Sequence, residues 1–98
     1  MARTLTVARA AVSPAAEAEY LRTIAELARV AEPRGRRLWL FRSAERPDLF
    51  LECSESANAA THRAVATLPD DEARLEARLG RLAAYGPDAR ERWLEVRV

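Results

Sequence analysis

Apolar positions along the chain repeat with two different periods. Residues Thr4 to Val12 carry β-branched side chains with Leu5 and Val7 two apart, which predicts a first strand. Ser13-Pro14 follows as a helix start, because a hydroxyl there can accept a backbone N–H and proline at the first helical position gives up no hydrogen bond. From there Tyr20, Leu21, Ile24, Leu27, Ala28 and Ala31 recur at helical spacing, opposite a charged stripe of Glu19, Arg22, Glu26 and Arg29. Pro33 and Gly35 end this helix.

The next stretch departs from simple alternation. Leu38-Trp39-Leu40-Phe41 reads as a strand with apolar residues on both faces. A turn at Ser43 to Pro47 leads into a return strand, Asp48 to Ser54, again apolar on both faces near its start. Ser54 or Ser56 can cap a short helix from Ala57 to about Ala66, and Leu68 to Glu72 opens another, with acidic residues where the helix dipole favours them. Leu75, Leu79, Leu82 and Ala83 form its buried stripe, and Tyr85-Gly86-Pro87 stops it. A last strand is predicted over Arg92 to Val98, with Leu94, Val96 and Val98 on one face and Trp93, Glu95 and Arg97 on the other.

The element order is βαββαβ, the α+β ferredoxin-like arrangement. Right-handed crossovers make it one antiparallel sheet with the helices on a single face. If the other face were wet, the hairpin strands would alternate apolar with polar. Instead Leu38/Leu40 and Trp39/Phe41 point to opposite faces, as do Leu49/Leu51 and Phe50. The uncovered set needs a partner, and a second copy of the sheet is the simplest one, so a homodimer is expected.

Composition narrows the classes. Ninety-eight residues, 49% of them hydrophobic and 32% charged, suit one globular domain spanning 1–98 and leave no room for a second. No apolar run approaches the roughly 20 residues of a membrane span, and the first residues lack a secretory apolar stretch, so a cytoplasmic protein with no membrane partner is expected. The net charge of +1 creates no field that would attract nucleic acid, although every basic residue is Arg. Cys53 is the only cysteine, which rules out an intrachain disulfide and suits a small buried strand residue.

Few side chains carry candidate chemistry. His62 is the only side chain whose ordinary pKa lies near neutrality, which makes it a candidate general base or haem ligand. Glu52, at the end of a strand, can orient His62 or anchor a substrate. Trp39, Phe41 and Trp93 can form an aromatic pocket wall, with core or dimer packing as the plainer alternative. Arg34, Arg36 and Arg37 around Gly35 can grip a phosphate or carboxylate, or can simply form a solvated loop. No glycine-rich phosphate loop, nucleophile elbow or paired metal-spacing histidines occur.

This arrangement resembles the dimeric α+β barrel superfamily, and within it the antibiotic biosynthesis monooxygenase-like group. There, a strand ending in an apolar residue and Glu leads into a helix bearing Ala-x-x-His; here Phe50-Leu51-Glu52 precedes Ala59-Ala60-Thr61-His62. The second histidine of many members is absent, since Arg63 to Thr67 contains none. The resemblance implies a small apolar pocket between sheet and helices that takes a small aromatic or quinol-like compound. It further implies catalytic roles for His62 and Glu52 and oxidation without a cofactor or metal. Oxidation of that kind needs a substrate that donates an electron to oxygen once deprotonated. A non-catalytic ligand-binding or dimerisation module, and a haem binder, are the alternatives.

Overall fold

A computed structural model describes residues 3–56 and 69–98. The expected helix from Ala57 to about Ala66, and His62 with it, lies outside the described residues. The elements are β1 (Thr4–Ala11), α1 (Glu17–Ala31), a turn of 3-10 helix (Glu32–Arg34), β2 (Arg36–Arg42), β3 (Leu49–Ser56), α2 (Asp70–Leu82) and β4 (Arg90–Leu94). The strands form one sheet in the order β2-β3-β1-β4, with every neighbouring pair antiparallel. This is the ferredoxin-like α+β fold that the element order predicts.

Register sorts the side chains onto two faces. Leu40 and Ala8 stand on either side of Glu52, and Arg42 and Ala10 on either side of Phe50, so the even-numbered residues of β1, β2 and β3 share one face. That face meets the helices. Ala10, Val12, Tyr20, Ile24, Leu27, Phe50, Leu75, Leu79 and Ala83 make the core, with Leu38 and Leu40 packed against it. Burying a large aliphatic or aromatic side chain of this kind stabilises the fold by about 1.5–3 kcal/mol. The opposite face carries Leu5, Val7, Trp39, Phe41, Leu49, Leu51 and Trp93, and no described helix covers it.

Three expectations need correction. Ser13 does not cap α1 with its hydroxyl: residues 14–16 form a turn first, the Ala16 N–H donates to the Ser13 carbonyl at 3.0 Å, and the helix starts at Glu17. The last strand is not Arg92 to Val98. It begins at Arg90, opposite Ala8, and ends at Leu94, opposite Thr4, the first residue of β1. The Glu95 N–H still reaches the Arg3 carbonyl, whereas Val96 and Val98 are exposed.

Of the arginines around Gly35, Arg34 and Arg37 are exposed as a charged loop would be, but Arg34 and Arg36 are not a vacant anion grip. Arg34 donates to Asp71 (2.8 and 3.2 Å) and to Glu72 (2.8 Å), while Arg36 donates to Glu72 (3.2 Å) and Glu76 (3.0 Å). The acidic first turn of α2 is thus held to the start of β2. Gly35 makes the approach feasible by taking a positive φ of 87°, a left-handed conformation open to glycine. Arg37 points to the other face, its guanidinium 5.3 Å from the Trp39 ring.

Candidate functional site

Glu52 lies in the middle of β3 on the helix side of the sheet, a position that normally takes an apolar residue. Two phenols accommodate it. Tyr20, from the buried stripe of α1, and Tyr85, from the segment after α2, donate to the same carboxylate oxygen, Oε2, at 2.6 and 2.5 Å. Tyr20 is wholly buried, with its ring 5.2 Å from that of Phe50, so its hydroxyl needs a partner inside the protein. Ala8, small and buried beside Glu52, leaves room for the cluster.

Charge approaches from α2 and β4. Arg90 lies with its guanidinium 5.2 Å from the Tyr85 ring and 3.9 Å from Glu76. Burial pushes the Glu52 carboxyl above the ordinary carboxylate value; the two phenol hydrogen bonds and Arg90 oppose that shift, and Glu76 adds to it. Burial, together with the Glu52 hydrogen bond and charge, pushes both tyrosines well above the ordinary phenol value, so they stay protonated and act as donors. The arrangement is a partly buried proton acceptor, shifted toward neutrality and held by two donors.

Of the residues proposed from sequence, only Glu52 stands in this cluster, and His62 lies outside the described residues. Trp39, Phe41 and Trp93 share the open face, where they are 38%, 57% and 56% exposed, but Trp39 and Phe41 stand on one edge strand and Trp93 on the other, with β3 and β1 between them. The sheet separates them from Glu52, so they do not form a pocket wall around it. Trp93 borders a shallow depression of about 200 Å³ with Arg3, Leu5, Glu55 and Glu95 among its lining residues. Cys53 is also on the open face, opposite Trp39 and Val7, and burial raises its thiol pKa, as suits an unreactive packed side chain. Tyr20 and Tyr85 were not singled out from sequence. One signal was present: a tyrosine on a buried helical stripe needs a polar partner, and Glu52 is the carboxylate on the facing strand.

Comparison with solved structures turns on this fold. A conserved protein of unknown function from Bacteroides thetaiotaomicron, described as a possible oxidoreductase, superposes with a TM-score of 0.80 at 18% identity, covering 96% of this chain and 98% of that one. A candidate antibiotic biosynthesis monooxygenase from Bordetella bronchiseptica gives 0.73 at 18% identity over 100% and 99%. A variant of SnoaB, a cofactor-independent oxygenase from Streptomyces nogalater, gives 0.72 at 20% identity over 97% and 92%. The fold is that of the antibiotic biosynthesis monooxygenase-like proteins.

The resemblance read from the order of elements therefore holds at the level of this monooxygenase-like fold. No protein-family model matches the sequence, and no curated protein is significantly similar to it. Neither described helix is long and apolar enough to cross a membrane. Among the described residues, no three His, Cys, Asp or Glu side chains gather as a metal site.

Proposed function

We propose that the protein is a monooxygenase-like homodimer that binds a small aromatic or quinol-like compound between its sheet and helices, with Glu52 as a proton acceptor. The observation that carries this reading is Glu52 itself: a carboxylate on the helix side of the sheet, raised in pKa by burial and gripped by two phenols. A carboxylate placed there for stability alone would be an expensive choice, since an apolar residue would fill the site without desolvating a charge. The ligand gives a hydroxyl proton to Glu52 and, as the anion, an electron to molecular oxygen. The ligand radical and superoxide then combine to form the new carbon–oxygen bond. His62 is a second proton acceptor in this proposal. The open faces of two copies close on one another, and Trp39, Phe41 and Trp93 serve that contact rather than the ligand.

Oxygen uptake with 1,4-dihydroxynaphthalene as the probe tests the proposal. The wild type is expected to consume oxygen above the buffer rate, and Glu52→Gln to fall to that rate with an unchanged circular dichroism spectrum. Equal uptake by the two proteins rejects the role of Glu52. Saturable quenching of tryptophan fluorescence by the probe, with no uptake by the wild type, would instead make the protein a binding module.

A further inference from the structure

Both phenols in the cluster donate to the same oxygen of Glu52, and this has a chemical consequence. A carboxylate oxygen has two lone pairs available for hydrogen bonding, and Tyr20 and Tyr85 together occupy those of Oε2. Each hydroxyl has one hydrogen, and each phenol is held in its protonated form. A proton arriving on Oε2 would have to displace one of these hydrogen bonds and leave a buried donor unmatched. Oε1 bears no such load from either tyrosine.

We infer that Tyr20 and Tyr85 are positioning residues that pin Oε2 of Glu52 and make Oε1 the atom that takes and returns the proton. The inference rests on the reading of Glu52 as a proton acceptor, but its test needs no turnover. The two tyrosines reach Glu52 from different elements, one from α1 and one from the segment after α2, so the carboxyl plane is fixed from two directions. Among the described residues, the other groups that set its charge are Glu76 on α2 and Arg90 on β4; β1 and β2 present the apolar Ala8 and Leu40 beside it. The phenols therefore do two things at once. They lower the cost of the Glu52 anion, and they decide which oxygen faces an incoming hydroxyl.

The test is a titration of the Glu52 carboxyl carbon by NMR, with the protonated carbonyl stretch followed by infrared difference spectroscopy against Glu52→Gln. With the proton on Oε1, the carbonyl oxygen is Oε2, which accepts two hydrogen bonds, so its stretch lies at low frequency. Tyr20→Phe and Tyr85→Phe should each raise that frequency and weaken Glu52 as an acid by roughly three- to tenfold, and the double variant should do so by more than either. An unmoved frequency with an unmoved midpoint overturns the inference, and so does a moved midpoint with an unmoved frequency, which would put the proton on Oε2. If Tyr20→Phe fails to fold, 3-fluorotyrosine at position 85 keeps the test open, because a more acidic phenol donates more strongly and should move the midpoint the other way. Oxygen uptake separates this inference from the functional proposal. Loss of uptake in Glu52→Gln beside unmoved tyrosine variants overturns the pinning alone, whereas unchanged uptake in Glu52→Gln overturns the functional reading and leaves the pinning to the spectra.

Discussion

Substituting Phe41 by Glu should separate the proposed dimer into folded monomers. Phe41 projects from β2 on the face away from the helices, opposite Leu51, and 57% of it is exposed. An aromatic side chain presents about 200 Å² of surface when fully buried, so roughly 110 Å² of Phe41 is left for a partner to cover. At about 25 cal/mol per Å², that is roughly 3 kcal/mol per protomer. A two-fold dimer counts it twice, which gives roughly 5–6 kcal/mol, or about four decades in dissociation constant. The translational and rotational cost of association is common to both proteins and cancels in the comparison. Desolvation of the new carboxylate adds to the loss. Sedimentation velocity at micromolar concentration reads the result, with circular dichroism showing that the monomer is still folded, since Phe41 takes no part in the core. Glu-substituted protein that sediments as a dimer with the wild-type constant, or wild type that is already monomeric, would refute the reasoning.

Two further outcomes follow from the charged groups. The Glu52 carboxyl is raised above 4.5 in the folded protein, so between that value and its native pKa the folded state holds more protons than the unfolded one, and stability falls as pH rises through this window. Subtracting the Glu52→Gln stability curve from the wild-type curve, each measured by urea unfolding, should isolate this negative slope; a flat or rising difference contradicts the assigned direction. Glu72→Ala removes a side chain that is 3% exposed and bonded to both Arg34 and Arg36. Because Arg34 keeps Asp71 and Arg36 keeps Glu76, the cost should stay near the lower end for breaking a buried pair, about 3 kcal/mol. A loss under about 1 kcal/mol would mean that the network behaves as surface charge.

The architecture was legible because periodicity reports which side of an element is covered. Leu38, Leu40 and Phe50 did meet the helices, while Trp39, Phe41, Leu49 and Leu51 took the other face, as the unbroken apolar runs require. The end of β4 was not legible. Leu94, Val96 and Val98 alternate as a strand should, but a strand also needs a neighbour, and β1 stops opposite Leu94. That Trp39 and Phe41 face away from Glu52 was not legible either, for a related reason. Which residues of a hairpin share a face depends on its register, and a slip of one residue would exchange the faces. Here Trp39 pairs with Cys53 and Leu40 with Glu52, which puts the aromatics and the carboxylate on opposite sides. The arginines around Gly35 drew attention by their own spacing, yet their partners lie on α2, some 36 to 40 residues away in sequence.

The sheet therefore divides the labour of the chain more sharply than the list of aromatic and ionisable residues suggests. Its outer face carries large apolar side chains interspersed with charge: Arg9 stands opposite Leu51, Glu91 opposite Val7, Arg37 lies over Trp39, and Arg3 binds Glu55 and Glu95. Such an open surface suits a second protein surface better than a small ligand, because small ligands are held in concave sites that bury most of their surface. Its inner face carries the Glu52 carboxyl, to which Tyr20 from α1 and Tyr85 from the segment after α2 both donate at a single oxygen. By register, Phe41 and Glu52 project from opposite faces of the sheet. Phe41→Glu and Glu52→Gln are therefore expected to act independently, the first on assembly and the second on proton transfer. Coupling between them would show instead that the site is completed only when two copies meet.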